Sequence, residues 1–252
     1  MGRSILASSL LHPTVTRLWL KPTSFTSSIA KAVGMPWEIF RLPDLTDHLF
    51  DLCAKAGDIL SYSSYVVLSP DYNVGFTVVV AGNQTTSTAE QLISTITAAL
   101  FPAVATTAKK QADVKYSGTY TASDSSLNST LTISTEPGNP GLVVSGWISN
   151  GTSIAVPLAA SFGTSDMDIR LYPSGLVDKI SERRTRVGYK GVFAAKGKEP
   201  NEGVFDSTCT SWISPARIYG NVGIDGFVFE IQDGQVVGVE PRAFRTTLVK
   251  RS

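Results

Sequence analysis

The chain has 252 residues, 42% of them hydrophobic and 17% charged, and its formal net charge is +1. That length and apolar content suit one large or two small globular domains and exclude a disordered chain. A near-neutral balance excludes electrostatic capture of nucleic acid or of an acidic membrane, and no apolar run approaches the ~18–20 residues of a spanning helix.

Residues 1–11 place a basic residue ahead of apolar ones, but Ser8 and Ser9 interrupt the run. No small-residue cleavage site follows, so no leader peptide is expected. Apolar positions Ile5, Leu6, Leu10, Leu11, Val15, Leu18 and Trp19 predict two short helices divided by Pro13. Residues 21–28 read as a loop. Residues 33–41 predict a turn entering a short strand, with Trp37, Ile39 and Arg41 on one face.

Strands follow near 48–56, 63–69 and 75–81, the last two joined as a hairpin by the turn-forming residues 69–73. The run Val78-Val79-Val80 suggests a central strand buried on both faces. Ser87 and Glu90 form a capping box, which predicts a helix with the stripe Leu92, Ile93, Ile96 and Leu100. Pro102 should stop it, leaving 103–112 as a linker.

Beyond about residue 113 short alternating segments predominate, at 116–122, 129–135, 141–148, 153–158, 168–172 and 186–194. Segments 226–232 and 235–239 flank Asp233-Gly234, the strongest hairpin signal in the chain. This half predicts an antiparallel sheet or small barrel of about six to nine strands. The expected class is α+β, with domains at 1–110 and 111–252.

Few residues carry chemistry. Cys53 and Cys209 read as separately packed thiols, and nothing in the sequence supports a disulfide between them. Ser28-Ile29-Ala30-Lys31 matches the Ser-x-x-Lys nucleophile pattern, but that chemistry needs a helix to set the lysine beside the hydroxyl. Gly34 and Pro36 oppose such a helix. Tyr219-Gly220-Asn221 matches Tyr-x-Asn and reads as a turn.

Lys55-Ala56-Gly57 is better placed, on a strand ahead of a Ser/Tyr turn. A strand lysine offers charge to a substrate anion, and small neighbours let a substrate lie along the strand edge near a backbone N–H. The alternative is a solvated lysine. His12 and His48 read as packing or surface residues, and Asp44, Asp47 and Asp51 as a polar strand entry. With no Gly-rich phosphate loop and no metal-ligand cluster, no cofactor is expected. Sequons at Asn83, Asn128 and Asn150 predict glycosylation and hint at a secreted ancestry, which the lack of a leader does not share.

Trp19-Leu20-Lys21-Pro22, Gly34-Met35-Pro36-Trp37-Glu38-Ile39-Phe40-Arg41, Lys55-Ala56-Gly57-Asp58 and Tyr62-Ser63-Ser64-Tyr65 together resemble the fungal β-lactamase-related proteins. These are similar to class C β-lactamases and penicillin-binding transpeptidases. Thr208-Cys209-Thr210-Ser211-Trp212, Asp225-Gly226-Phe227-Val228-Phe229 and Pro241-Arg242-Ala243-Phe244-Arg245 resemble the β-rich C-terminal domain of the same proteins.

The resemblance implies a partial β-lactamase-like antiparallel sheet with flanking helices, followed by the barrel-like domain. It also implies that the nucleophile, the general base and the leader lie upstream of Met1, so that this is a truncated homologue. Lys55 would be the third-motif lysine. Gly57 would follow it in the same motif, and the backbone N–H of Asp58 would be half of an oxyanion hole. Ala56 replaces the usual hydroxyl residue. The implied substrate is a small acyl compound (an ester, lactone or amide), handled in fungal secondary metabolism. The other reading is a non-catalytic, β-rich module that binds a small molecule. A lactamase sheet without its helical domain would expose apolar surface on 48–81. Self-association is therefore expected, and light scattering showing a monodisperse monomer would count against it.

Overall fold

The computed structural model describes residues 1–42, 49–124, 126–196 and 217–251. Asp44, Asp47, His48 and the 208–212 stretch with Cys209 lie outside the described residues. The chain divides into two compact units, Met1–Lys109 and Lys110–Ser252. Together they bear out the α+β class.

The first unit begins with α1 (Gly2–Leu6) and α2 (Pro13–Trp19). Pro13 opens α2 rather than merely dividing two helices. Its missing N–H costs nothing at that position, and His12 caps the helix by accepting from the Thr14 N–H at 3.4 Å. Next come β1 (Ser24–Phe25), β2 (Lys31–Val33), β3 (Glu38–Leu42), β4 (Phe50–Ile59), β5 (Tyr62–Ser69) and β6 (Val74–Ala81). They form one antiparallel sheet in chain order. β1 replaces part of the loop expected over 21–28, and β2 leads into the turn at Gly34.

Alternation divides this sheet into two packed faces. Cys53, Leu68, Ile39 and Trp37 face Ile5, Leu6, Trp19 and Leu20. Phe50, Leu52, Ala54 and Val67 face the opposite way, against Phe101, Ile93 and Ala105 of α3 (Thr85–Tyr116). Burial, with the Asp51 and Asp71 carboxylates adding to it, pushes the Cys53 thiol up to about 12, so this cysteine is packing material.

Three expectations fail here. β6 is an edge strand, not a central one, and Val79 is 71% exposed. A run of β-branched residues suits a pleated strand whether or not both faces are covered. The helix begins two residues before Ser87, whose hydroxyl donates back to the Gln84 carbonyl at 3.0 Å instead of capping. It also runs through Pro102 without stopping. Alanines on both sides favour helix, and the fully buried Phe101 ring fixes this turn against Phe50, with centroids 5.4 Å apart. Local packing outweighs the one backbone bond that Pro102 removes. By length and composition α3 is therefore long and apolar enough to cross a membrane, contrary to the sequence expectation.

The second unit takes in the last turns of α3, then β7 (Gly118–Ala122), β8 (Thr130–Ser134), β9 (Leu142–Ser149), β10 (Thr152–Ser153) and α4 (Ala155–Ser161). β11 (Met167–Lys179), β12 (Arg184–Ala195), β13 (Ile218–Tyr219), β14 (Val222–Gly223), β15 (Gly226–Gln232), β16 (Gln235–Pro241) and β17 (Leu248–Lys250) complete it. Among the described residues, β9-β11-β12-β15-β16-β17-β7-β8 closes on itself through a β8–β9 pairing. The result is an eight-stranded antiparallel barrel, with β10 appended to β9.

The segment 153–158, expected as a strand, is largely α4, where Leu158 and Ala159 are buried. Its alanines and an early Pro157 suit a helix start better than a ladder. Asp233 and Gly234 both have positive φ, as a type I′ hairpin requires. The interior is filled by rings. Tyr116 and Tyr189 each lie 4.9 Å from Phe229, and Trp147 lies 5.2 Å from Phe227. Burial pushes the Tyr120 and Tyr189 phenols well above their ordinary range. Glu230 would be raised by burial too, but Arg184 at 2.7 Å and Arg186 at 3.1 Å hold its carboxyl below the usual value.

Candidate functional site

The most chemically suggestive place in the first unit is the outer half of β4. Strand β3 accompanies β4 only from Phe50 to Ala54, where Glu38 is the last paired residue. Beyond Ala54, β4 is paired with β5 alone among the described residues. Its other edge is open over residues 55–59.

Which backbone groups face that edge follows from the hairpin. The loop between β4 and β5 has two residues, Leu60 and Ser61, so Ile59 and Tyr62 form the hydrogen-bonded closing pair. Bonded and non-bonded pairs alternate along an antiparallel ladder. Gly57–Ser64 is then a bonded pair, while Asp58–Ser63 and Ala56–Tyr65 are not. The N–H and C=O of Asp58 and Ala56 therefore point away from β5, toward the open edge.

The side chains around it are held in defined ways. The Lys55 Nζ donates to Glu38 Oε1 at 2.8 Å, and the two side chains are 44% and 41% exposed. The Asp58 carboxylate accepts from Thr86 Oγ1 at 3.1 Å. The buried Ser63 hydroxyl donates to Thr85 Oγ1 at 2.8 Å and lies 3.1 Å from Thr86 Oγ1. The first turn of α3 is thus tied to β4 and β5 next to Asp58. A methyl group on Gly57 would come within 3.2 Å of the Ser64 hydroxyl, which donates to the Gly57 carbonyl at the same distance. Burial raises the Tyr65 phenol, and the Glu90, Glu38 and Asp58 carboxylates raise it further.

Lys55, Gly57 and Asp58 therefore lie together on one strand, at its unpaired edge. The other candidates lie elsewhere. Ser28 is exposed in a bend, where its hydroxyl accepts from the Ala30 N–H at 3.2 Å. Lys31 lies on β2 with its Nζ 5.9 Å from the Phe40 ring centroid. The two share no helix, so the Ser-x-x-Lys geometry is absent. Gly220 and Asn221, both at positive φ, form the turn between β13 and β14. Asn83, Asn128 and Asn150 are exposed. The Asn128 carbonyl accepts from the Gly151 N–H, which sets two of the three sequons side by side. No group of three or more His, Cys, Asp or Glu able to hold a metal occurs among the described residues.

Sequence reasoning missed Glu38, Thr86 and Ser63 as site residues. The only signal for Glu38 was its place one strand away from Ala54, and register cannot be read before the strands are paired.

Residues 108–252 match the family described as "Beta-lactamase-like-like, C-terminal domain". The chain is 29% identical to the "Beta-lactamase-like protein" of Arthroderma benhamiae over 97% of its own length and 46% of that protein. It is 26% identical to the "Probable hydrolase M10" of a Phoma species, over 96% of this chain and 42% of the relative. It is also 26% identical to the "Probable hydrolase clz13" of Cochliobolus lunatus, over 92% of this chain and 40% of that one. The chain thus spans less than half the length of these curated relatives. No solved structure matches it.

Proposed function

The chain belongs to the Beta-lactamase-like-like, C-terminal domain family through residues 108–252, and its likeness to a fungal β-lactamase-like protein extends over the first unit as well; we propose that this first unit carries the strand-edge part of an acyl-handling site of hydrolase or acyltransferase type. The open edge of β4 supports this most directly. Along it, the Asp58 N–H points away from β5 toward the open edge, where it can donate to an acyl oxygen, Gly57 carries no side chain to obstruct a ligand, and Lys55 supplies the nearby cation. A fixed N–H aimed at a developing oxyanion needs no reorganisation during reaction, which is the source of its catalytic value. The fungal relatives named as probable hydrolases support the same reaction class, and a place in fungal secondary metabolism belongs to this proposal.

Ser28 is not the nucleophile in this reading. A fluorophosphonate should leave it unmodified in the folded chain, by peptide mass spectrometry. The edge itself is tested with N-phenylacetylglycine methyl ester, which carries an amide and an ester but no charge. Titrated into the isotope-labelled full chain, it should shift the Ala56, Gly57 and Asp58 amide resonances. A folded chain whose 55–58 amides stay unmoved at saturating ester would sink the proposal.

The barrel gives the second reading, a β-rich binding module, no comparable support. Tyr120, Leu131, Leu171, Phe227 and Phe229 fill the interior that a ligand would need.

A further inference from the structure

We propose that Glu38 sets the charge preference of the β4 edge, so that this edge favours an uncharged acyl ligand, an ester or a lactone without a carboxylate, over an anionic one. The inference rests on the reading of that edge as an acyl site and adds the class of ligand.

The observation behind it is the pairing of Lys55. A lysine beside an open strand edge would ordinarily be available to an incoming carboxylate. Here its Nζ is already bonded to Glu38 Oε1 at 2.8 Å. Glu38 stands at the last paired position of β3, at the point where the β4 edge opens. It is thus held by its own backbone ladder next to the ammonium group. A ligand carboxylate must displace a tethered rival, whose effective concentration is set by the fold and not by the solution.

The surroundings add to this. Asp58 is on the same strand segment, with its carboxylate held at Thr86 Oγ1. The Glu90, Glu38 and Asp58 carboxylates all act on Tyr65, which pairs with Ala56 in the adjacent strand. An anion at the edge would meet one neutralised cation and several carboxylates. An ester or lactone carbonyl pays no such penalty, because it needs only the directed backbone N–H groups.

The pair is half-exposed, so its grip is modest. Exposed ion pairs couple by roughly 0.2–1 kcal/mol, which corresponds to at most about a fivefold change in an equilibrium constant. A preference of that size decides between two ligands that differ only in the carboxylate.

The test compares N-phenylacetylglycine with its methyl ester, both titrated into the labelled full chain and read at the 55–58 amides. The ester should bind about three- to fivefold more tightly than the acid, a ratio matching the free energy of an exposed ion pair. Glu38→Gln should release Lys55 and move the ratio by about the same factor toward the acid. Glu38→Asp keeps the charge and should retain the preference for the ester. Equal or tighter binding of the acid to the wild-type chain would overturn the charge preference and leave the acyl site standing. So would an unchanged ratio in Glu38→Gln. Should Glu38→Gln lose its dispersed amide spectrum, the wild-type and Glu38→Asp ratios decide alone. Failure of both ligands to move the 55–58 amides would instead sink the acyl site, and this inference with it.

Discussion

Phe229→Ala should destabilise the barrel by about 3–5 kcal/mol, as truncations of fully buried phenylalanines do. The Phe229 ring is wholly inaccessible and has Tyr116 and Tyr189 at 4.9 Å and Tyr120 at 6.3 Å. Removing it leaves a void walled by three stiff rings, two of which carry buried hydroxyls. The Tyr120 hydroxyl already donates to the Tyr116 carbonyl at 2.5 Å, so it cannot swing inward without losing that partner. A site that cannot collapse loses cavity energy as well as transfer energy. Because the chain has two compact units, a single unfolding free energy is poorly defined, and the readout should be local. Hydrogen exchange of peptides from β15 and β16 should speed up by more than a hundredfold, since each ~1.4 kcal/mol is a factor of ten. Less than a tenfold change would show that the cluster repacks.

Phe101→Ala should have a comparable effect on the first unit, again about 3–5 kcal/mol. Phe101 is wholly inaccessible and lies 5.4 Å from Phe50, which stacks in turn on Tyr72 at 4.8 Å. The ring also sits immediately before Pro102, where the helix lacks one of its own hydrogen bonds. Loss of the anchor should therefore remove the reason for helix continuity at that turn. The expected result is faster exchange in β4 and in α3 on both sides of Pro102, with a fall in helical circular dichroism. Unchanged helicity would mean that the alanines alone carry the helix through the proline.

These two sites show what the sequence made legible and what it did not. The alternation of Phe227, Phe229 and Ile231, followed by Asp233-Gly234, defined a hairpin outright, because side-chain period and turn chemistry agree on that arm. The bulge that brings both Val236 and Val239 to the buried side of β16 breaks the period and was not legible. The barrel class followed from the same kind of signal. The helix end at Pro102 was misread, because a local rule was overridden by the Phe101 contact, which is non-local. The burial of Val78-Val79-Val80 was misread for a related reason: composition indicates a strand but not whether another strand lies beside it. At the candidate site, Lys55, Gly57 and Asp58 stood out through their neighbours in sequence. Glu38 and Thr86 did not, since each reaches the site from another element. The open edge was invisible as well, because it depends on where β3 stops, not on the residues of β4.

The closure of the barrel bears on how this unit comes to exist in time. β17, at Leu248–Lys250, lies between β16 and β7, and β7 is the first strand of the unit. The earliest and the latest strands to leave a ribosome are therefore neighbours in the ring. Until residues 248–250 emerge, β7 lacks one partner and the ring has two unsatisfied rims. The loop that must close to join them is nearly the whole unit, and such a closure is met entropically before its contacts give anything back. Closure of this ring thus waits for β17, although neighbours such as β7–β8, β8–β9 and β15–β16 can pair before it, whereas in the first unit every strand pairs with the one made just before it.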